Sequence, residues 1–242
     1  MSATIISSLI LVLAGSLSAD PRAQFPSDTI ETNDDPLTIY FIGHATVMMK
    51  YKNLVIHVDP TSEFADYKKM PKADLILVTH EHYDHMDAKA IASLTKKGTA
   101  LVINNSGRNM LKQGQGLENG DSLLIQGINI KAVPAYNTTA GRDKFHPRGR
   151  DNGYVLNIGG RNIYLAGDTE NTPEMAQLRD IDIAFLPMNQ PYTMTPEQLA
   201  KAVKDFKPKI VYPYHYGETD LSGLPELLKD QKQTELRIRP MK

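Results

Sequence analysis

The chain contains no cysteine. That absence excludes disulfides, thiolate zinc sites, iron–sulfur clusters and cysteine nucleophiles, and leaves His, Asp, Glu and Asn to hold any metal. It is neutral on compartment, since an exported protein without disulfides is ordinary. An excess of either charge is also missing, because 27 basic residues face 28 acidic ones for a formal charge of −1. A general polyanion-binding surface needs a basic excess, so nucleic acid is not an expected partner. No collagen period, disorder bias or low-complexity array is present. What remains is a chain of 242 residues, 41% hydrophobic, long enough to bury a sizeable core.

The first segment stands apart. Met1 to Ala19 carries no charged side chain, Leu9 to Leu13 is an apolar run, and the small-residue stretch Ala14 to Ala19 precedes Asp20-Pro21. An apolar region, small residues and a polar break are the pattern of a secretory signal, although no Lys or Arg precedes Arg22. Residues 1–19 are therefore expected to be a signal peptide and the protein to be exported, periplasmic or extracellular, with no stable membrane span after its removal. A retained membrane anchor and a buried N-terminal helix are the alternatives. Residues 20–35 read as a polar segment, and 36–242 as one domain.

Short β-type runs then alternate with turns. Leu37 to Ile42, Leu54 to Val58, Leu75 to Val78, Leu101 to Ile103, Ser122 to Ile125 and Ile128 to Val133 read as strands, with a helix at Ala88 to Leu94 behind Asp87. Tyr51-Lys52-Asn53 is read as a tight connection between two of them. The second half repeats the plan. Tyr154 to Ile158 and Asn162 to Ala166 flank a Gly159-Gly160 turn, and helices are expected at Pro173 to Leu178, Thr195 to Phe206 and Pro225 to Asp230. Strands at Ile181 to Leu186, Ile210 to Tyr214 and Glu235 to Ile238 complete it. This weak internal duplication, visible in layout rather than identity, fits one domain of two packed sheets with outer helices.

Chemistry concentrates at His80-Glu81-His82-Tyr83-Asp84-His85, directly after the apolar strand Leu75 to Val78. Three of the chain's seven His and two acids occupy these six positions, a concentration unlike an ordinary solvated loop. Imidazole and carboxylate suit zinc, manganese or iron. A tight loop at a strand end can aim His80 and His82 at one ion, and Asp84 and His85 at a second.

His-x-His-x-Asp-His after a strand resembles the signature of the metallo-β-lactamase superfamily of metal-dependent hydrolases. Ile42-Gly43-His44-Ala45-Thr46, Val58-Asp59-Pro60, Gly167-Asp168-Thr169 and Tyr214-His215-Tyr216 resemble it as well, from about Leu37 to His215. Together with Leu186 to Asn189 and Met194, the chain looks most like the branch of ascorbate-6-phosphate lactonase and N-acyl-phosphatidylethanolamine phospholipase D. The resemblance implies an α/β fold, a four-layer αββα sandwich of two mixed sheets with outer helices.

It further implies that His80 and His82 bind one divalent ion, that Asp84, His85 and His215 bind another, and that Asp168 bridges them, where a cap or turn role would be its ordinary use. Zinc is the expected metal, with manganese or iron as alternatives. The family's usual third His of the first site is missing. Asn137 occupies that position after Ile128 to Val133, and His146 could fold back to replace it; either is open. Asp59 is expected to brace a ligand by a hydrogen bond. Asp84 is a candidate catalytic residue for the acid–base steps, and His44 is one by resemblance, supporting a ligand or stabilising an oxyanion, or else a packing residue at a strand end.

The implied activity is hydrolysis of a lactone, ester or phosphodiester by a metal-activated hydroxide. A mononuclear iron oxygenase on the same fold and a non-catalytic metal-binding protein are the rival classes. The loop Arg142 to Arg150 carries four Lys or Arg residues in nine. Arg148 and Arg150 are thus candidates to hold an anionic group of a small-molecule substrate, against the alternative of a solvated loop. A nuclease and a genuine β-lactamase are disfavoured.

Overall fold

The computed structural model describes residues 24–241. The segment 1–19 read as a signal lies outside them, and among the described residues no helix is long and apolar enough to cross a membrane.

Among the described residues fourteen strands form two seven-stranded sheets. The first runs β1 (Ser27–Ile30), β2 (Leu37–Gly43), β3 (Thr46–Tyr51), β4 (Leu54–Val58), β5 (Leu75–Val78), β6 (Ala100–Asn104) and β7 (Gln115–Leu117), in spatial as in sequence order. The second contains β8 (Ser122–Ile125), β9 (Ile128–Ala135), β10 (Asp151–Ile158), β11 (Arg161–Leu165), β12 (Ile183–Pro187), β13 (Ile210–Tyr214) and β14 (Glu235–Leu236). In each sheet the first four strands pair antiparallel and the last four parallel. The duplication in the sequence layout is therefore a duplication of topology, with β4 answering β11, β5 answering β12 and β6 answering β13.

Side-chain alternation makes the layers. In β5, Leu75 and Leu77 join the core between the sheets, whereas Ile76 and Val78 pack outward with Ala90, Ile91 and Leu94 of α1 (Ala88–Leu94). α3 (Pro196–Phe206) covers the second sheet with Leu199, Ala200, Val203 and Phe206. Its Thr195 accepts from Gln198 N while the Gln198 side chain accepts from Thr195 N, a reciprocal cap worth about 1 kcal/mol. α2 (Asn105–Leu111) and α4 (Leu224–Leu227) are short. The expected four-layer sandwich is the one observed.

Several boundaries differ from those expected. The 20–35 segment carries β1, which pairs with β2. Tyr51-Lys52-Asn53 joins β4 to β3, a strand buried on both faces and so without the alternation that marks one. α2 opens with Asn-Ser-Gly, poor helix formers, and depends on the Asn104 side chain accepting from Gly107 N. The helix expected at Pro173 to Leu178 is one 3₁₀ turn at Met175–Gln177, too short to propagate as α-helix.

Candidate metal centre

The site lies where parallel strands end. Asp59 follows β4, the loop Thr79 to His85 follows β5, Asp168 follows β11, Asn189 follows β12, and His215 follows β13. Carboxyl ends of strands are where α/β sheets place ligands, because the connecting loops converge there. The two sheets are tied beneath it: the Tyr154 hydroxyl of β10 donates to Val78 O, and Asn152 N donates to Thr79 O. Gly167, at φ +65°, lets the Asp168 turn pass close. A Cβ there would lie 2.9 Å from Asn152 O and 3.1 Å from Thr79 Cβ.

Three non-glycine residues at the site also have left-handed backbone: His44 at φ +53°, Asp59 at +44° and His215 at +48°. Such conformations cost about 1–3 kcal/mol each and persist only where surroundings enforce them. Here His215 N donates to His44 O and Asp59 N donates to Leu77 O, both at 2.9 Å.

Among the described residues two clusters of potential ligand atoms result, linked by a third grouping of His80, His85 and Asp168. His80, His82 and His146 bring one nitrogen each within 4.8 Å of one another, as do the ligand atoms of His44, Asp84, His85 and His215. Asp168 reaches both. Its Oδ2 lies 3.4 Å from His146 Nε2 and 3.2 Å from His215 Nε2, and its Oδ1 lies 3.3 Å from His85 Nε2. His146, from a distant loop, is thus the histidine that joins His80 and His82. Asn137 instead points its Nδ2 at Tyr192 O (2.7 Å) and Arg142 O (3.2 Å), while its backbone N donates to His146 O. It fixes the loop that delivers His146.

Carboxylates behind the rings set their orientation. Asp59 Oδ2 sits 2.8 Å from His85 Nδ1, and Asp59 also accepts from Thr79 N and Thr79 Oγ1 at 2.7 Å each. Asp151 plays the same part for His146, 2.9 Å from its Nδ1, and is itself held by Arg150. Glu170, fully buried, accepts from Thr138 N, Thr139 N and the Thr138 hydroxyl and pairs with Arg142, which fixes the start of the same loop.

The electrostatics follow from burial and these partners. Burial, then neighbouring His85, holds His80 well below the usual imidazole range. Burial opposes charge on His85 too, but Asp168 and Asp59 overcome it and hold that imidazole well above. His146 is raised to about 9 because Asp151 and Asp168 outweigh its burial. Burial opposes charge on Asp84 and Asp168, yet histidines keep both low: His215 and His44 for Asp84, His215, His85 and His146 for Asp168. Burial keeps His44 below the ordinary value despite its 3.2 Å contact with Asp84 Oδ2.

Buried polar atoms without a hydrogen-bond partner among the described residues gather here, including His80 Nε2, His85 Nε2, His215 Nε2 and Asp168 Oδ1. Buried polar atoms are normally satisfied. Lone pairs of imidazole and carboxylate converging without partners fit the donor set of divalent zinc, manganese or iron.

Arg148 and Arg150 are placed differently from the expectation. Arg148 pairs with Glu174 at 2.6 Å and lies over the Tyr136 ring; Arg150 is committed to Asp151 and Glu81. Both line a separate polar cleft with Asn119 and Asn152 rather than the pocket over the histidines, with Arg150 Nη2 still 3.4 Å from His82 Nε2. Charge in the sequence could not reveal that each guanidinium already had an acidic partner. Asp151 and Glu170 were not anticipated either; only the adjacency of Glu170 to Asp168 offered a signal.

Over the clusters opens a pocket of about 610 Å³, walled by His44, Glu81, His82, Asp84, Asp168 and His215 and rimmed by Tyr83, Met110, Phe145 and Tyr192.

Comparison with known proteins agrees with this architecture. Residues 38–215 match the family model of the beta-lactamase superfamily domain. A UPF0173 metal-dependent hydrolase of Pelotomaculum thermopropionicum is 33% identical over 75% of this chain and 85% of its own. One from Thermococcus kodakarensis is 33% identical over 74% and 84%. A crystal structure from Parabacteroides distasonis, of a protein assigned to the metal-dependent hydrolases, is 53% identical with a TM-score of 0.88, covering 90% of this chain and all of that one. The chain is a metal-dependent enzyme, and it belongs to the UPF0173 metal-dependent hydrolase family of the metallo-β-lactamase superfamily.

Proposed function

We propose that the pocket hydrolyses a lactone, ester or phosphodiester bond with two divalent ions, His80, His82 and His146 holding one, Asp84, His85 and His215 the other, and Asp168 both. One observation carries this: Asp168 contacts His146 through Oδ2 and His85 through Oδ1, so a single carboxylate addresses both clusters. Ions held there would lower the pKa of a water toward neutrality and polarise the oxygen under attack. Zinc fits this donor set, with manganese and iron sharing it.

The chain's own residues supply the rest. Asp59 and Asp151 orient His85 and His146 so that each Nε2 faces inward. Asp84 Oδ2 and His44 Nε2, in contact at the pocket wall, would take up the proton released by the attacking water and pass it to the leaving group. The closed lower wall, with Asp168 and His215 almost fully buried, limits water around the reacting bond. The second cluster favours this reading over a mononuclear iron oxygenase, and a pocket open above both clusters favours it over a protein that only stores metal.

The test is metal analysis of protein purified without added metal, read beside hydrolysis of a lactone, an aryl ester and a bis-aryl phosphodiester. About two ions per chain, with turnover abolished by chelator and restored by zinc or manganese, is the expected result. One ion and no turnover on any of the three would overturn it.

A further inference from the structure

Five large hydrophobic side chains among the described residues are exposed: Tyr83, Met110, Leu124, Tyr192 and Ile238. Three of the five line the single pocket above the metal ligands, Tyr83 at 84% exposure, Met110 at 62% and Tyr192 at 44%. Scattered exposed apolar residues need no explanation, but their gathering at one cavity mouth does. Phe145 joins them, its ring set edge-on to Tyr192 with centroids 5.0 Å apart. The rim is thus three aromatic rings and a thioether, borne on three different loops and on α2.

Among the described residues no Lys or Arg lines this pocket. Lys144 places its ammonium over the Phe145 ring, 4.9 Å from the centroid, and Arg150 is engaged by Asp151 and Glu81. Of the carboxylates in the lining, Glu81 is paired with Arg150, and Asp84 and Asp168 belong to the ligand clusters. An anionic group away from the scissile bond would find no Lys or Arg in the described lining to pair with. An aromatic group would find ring edges and faces and a polarisable sulfur, contacts worth about 0.5–1.5 kcal/mol each beyond area burial.

We infer that the substrate carries a neutral aryl group beside the scissile bond, seated between Met110 and the Phe145–Tyr192 pair, and no anion remote from that bond. This rests on the hydrolase reading above and narrows its substrate class. Asn137 is a positioning residue for the subsite, since its amide donates to Tyr192 O and its backbone N to His146 O, joining the two loops that carry Tyr192 and Phe145.

The experiment uses 2-acetylnaphthalene, a neutral ketone that cannot be hydrolysed, and 6-acetyl-2-naphthoate, the same ligand with a remote carboxylate. Binding to the metal-loaded protein is read by naphthyl fluorescence. The neutral ketone is expected to bind at least about tenfold more tightly than the carboxylate. Met110→Gln and Tyr192→Ser, at exposed positions that folding does not depend on, should each weaken the ketone about three- to tenfold, the equivalent of one lost aromatic contact, and leave the carboxylate unchanged. Equal binding of the two ligands, or indifference to both substitutions, overturns the subsite. Hydrolysis of 2-naphthyl acetate is measured in parallel. Selective ketone binding without metal-dependent turnover would support the subsite and sink the hydrolase, whereas turnover without selectivity would do the reverse.

Discussion

Asp151 Oδ2 accepts a hydrogen bond from His146 Nδ1 at 2.9 Å, with both side chains buried. That bond fixes the tautomer that leaves His146 Nε2 facing His80 and His82, as Asp59 does for His85. Asp151→Asn should therefore weaken metal binding at the three-histidine cluster by about 10- to 100-fold while leaving the other cluster loaded. Competition with a chelator, followed by metal analysis, would read this directly. Unchanged affinity would mean that Asp151 serves only to anchor Arg150.

Asp168 predicts a different pattern. Because its two oxygens address both clusters, Asp168→Asn should lower occupancy of both ions together and reduce turnover by about 10³-fold or more, the several kcal/mol that metal ions contribute in such sites. Loss of one ion alone would assign Asp168 to a single cluster. His146→Ala is the control, since it should empty the first cluster and spare the second.

The motif residues were legible because strand, turn and ligand are adjacent in sequence: His80 to His85, Asp168 and His215 each sit directly after an apolar strand. The duplicated topology was legible for the same reason, as runs of β-branched residues repeat in order. The sequence leaves His146 open against Asn137 because its place depends on a loop folding back, held by Glu170 and Asn137 across the fold. A basic loop looks alike whether its partners are a substrate or Glu174 and Asp151, so sequence alone does not place Arg148 and Arg150. β1 was missed since its burial comes from the neighbouring strand and from Asp28, which binds residues some two hundred positions away.

That Asp28 contact is itself testable. Its carboxylate, 11% exposed, accepts from the Tyr212 hydroxyl at 2.5 Å and from Arg239 Nη2 at 2.7 Å, with Arg237 at 3.4 Å. It thereby clasps β1 to β13 and to the chain after β14. Hydrogen bonds to charged groups contribute about 1.5–3 kcal/mol. Asp28→Asn should thus lower Tm by about 5–10 °C for a domain of this size. Calorimetry with metal saturating would measure it, and an unshifted Tm would show that the clasp contributes nothing net.

His57 supplies a pH dependence free of the metal site. It is buried on the outer side of β4, with Nε2 3.1 Å from Pro71 O and Nδ1 without a partner, and burial lowers its pKa from 6.5 to about 4. In the unfolded chain the imidazole takes up its proton near 6.5, whereas in the folded protein it stays neutral until about 4. Between those values the unfolded state binds more protons, so stability falls as pH is lowered, by about 1.4 kcal/mol per pH unit for this group, and gains nothing further above 6.5. His57→Gln keeps a polar side chain of similar reach but cannot titrate. Urea unfolding of both proteins at pH 7.5, 6, 5 and 4.5, each in chelator to equalise the metal contribution, should show the difference between them changing by about 2–3 kcal/mol in favour of the variant toward low pH. Parallel curves would mean that His57 accepts its proton without unfolding, through a water or a rotamer beside its unpartnered Nδ1.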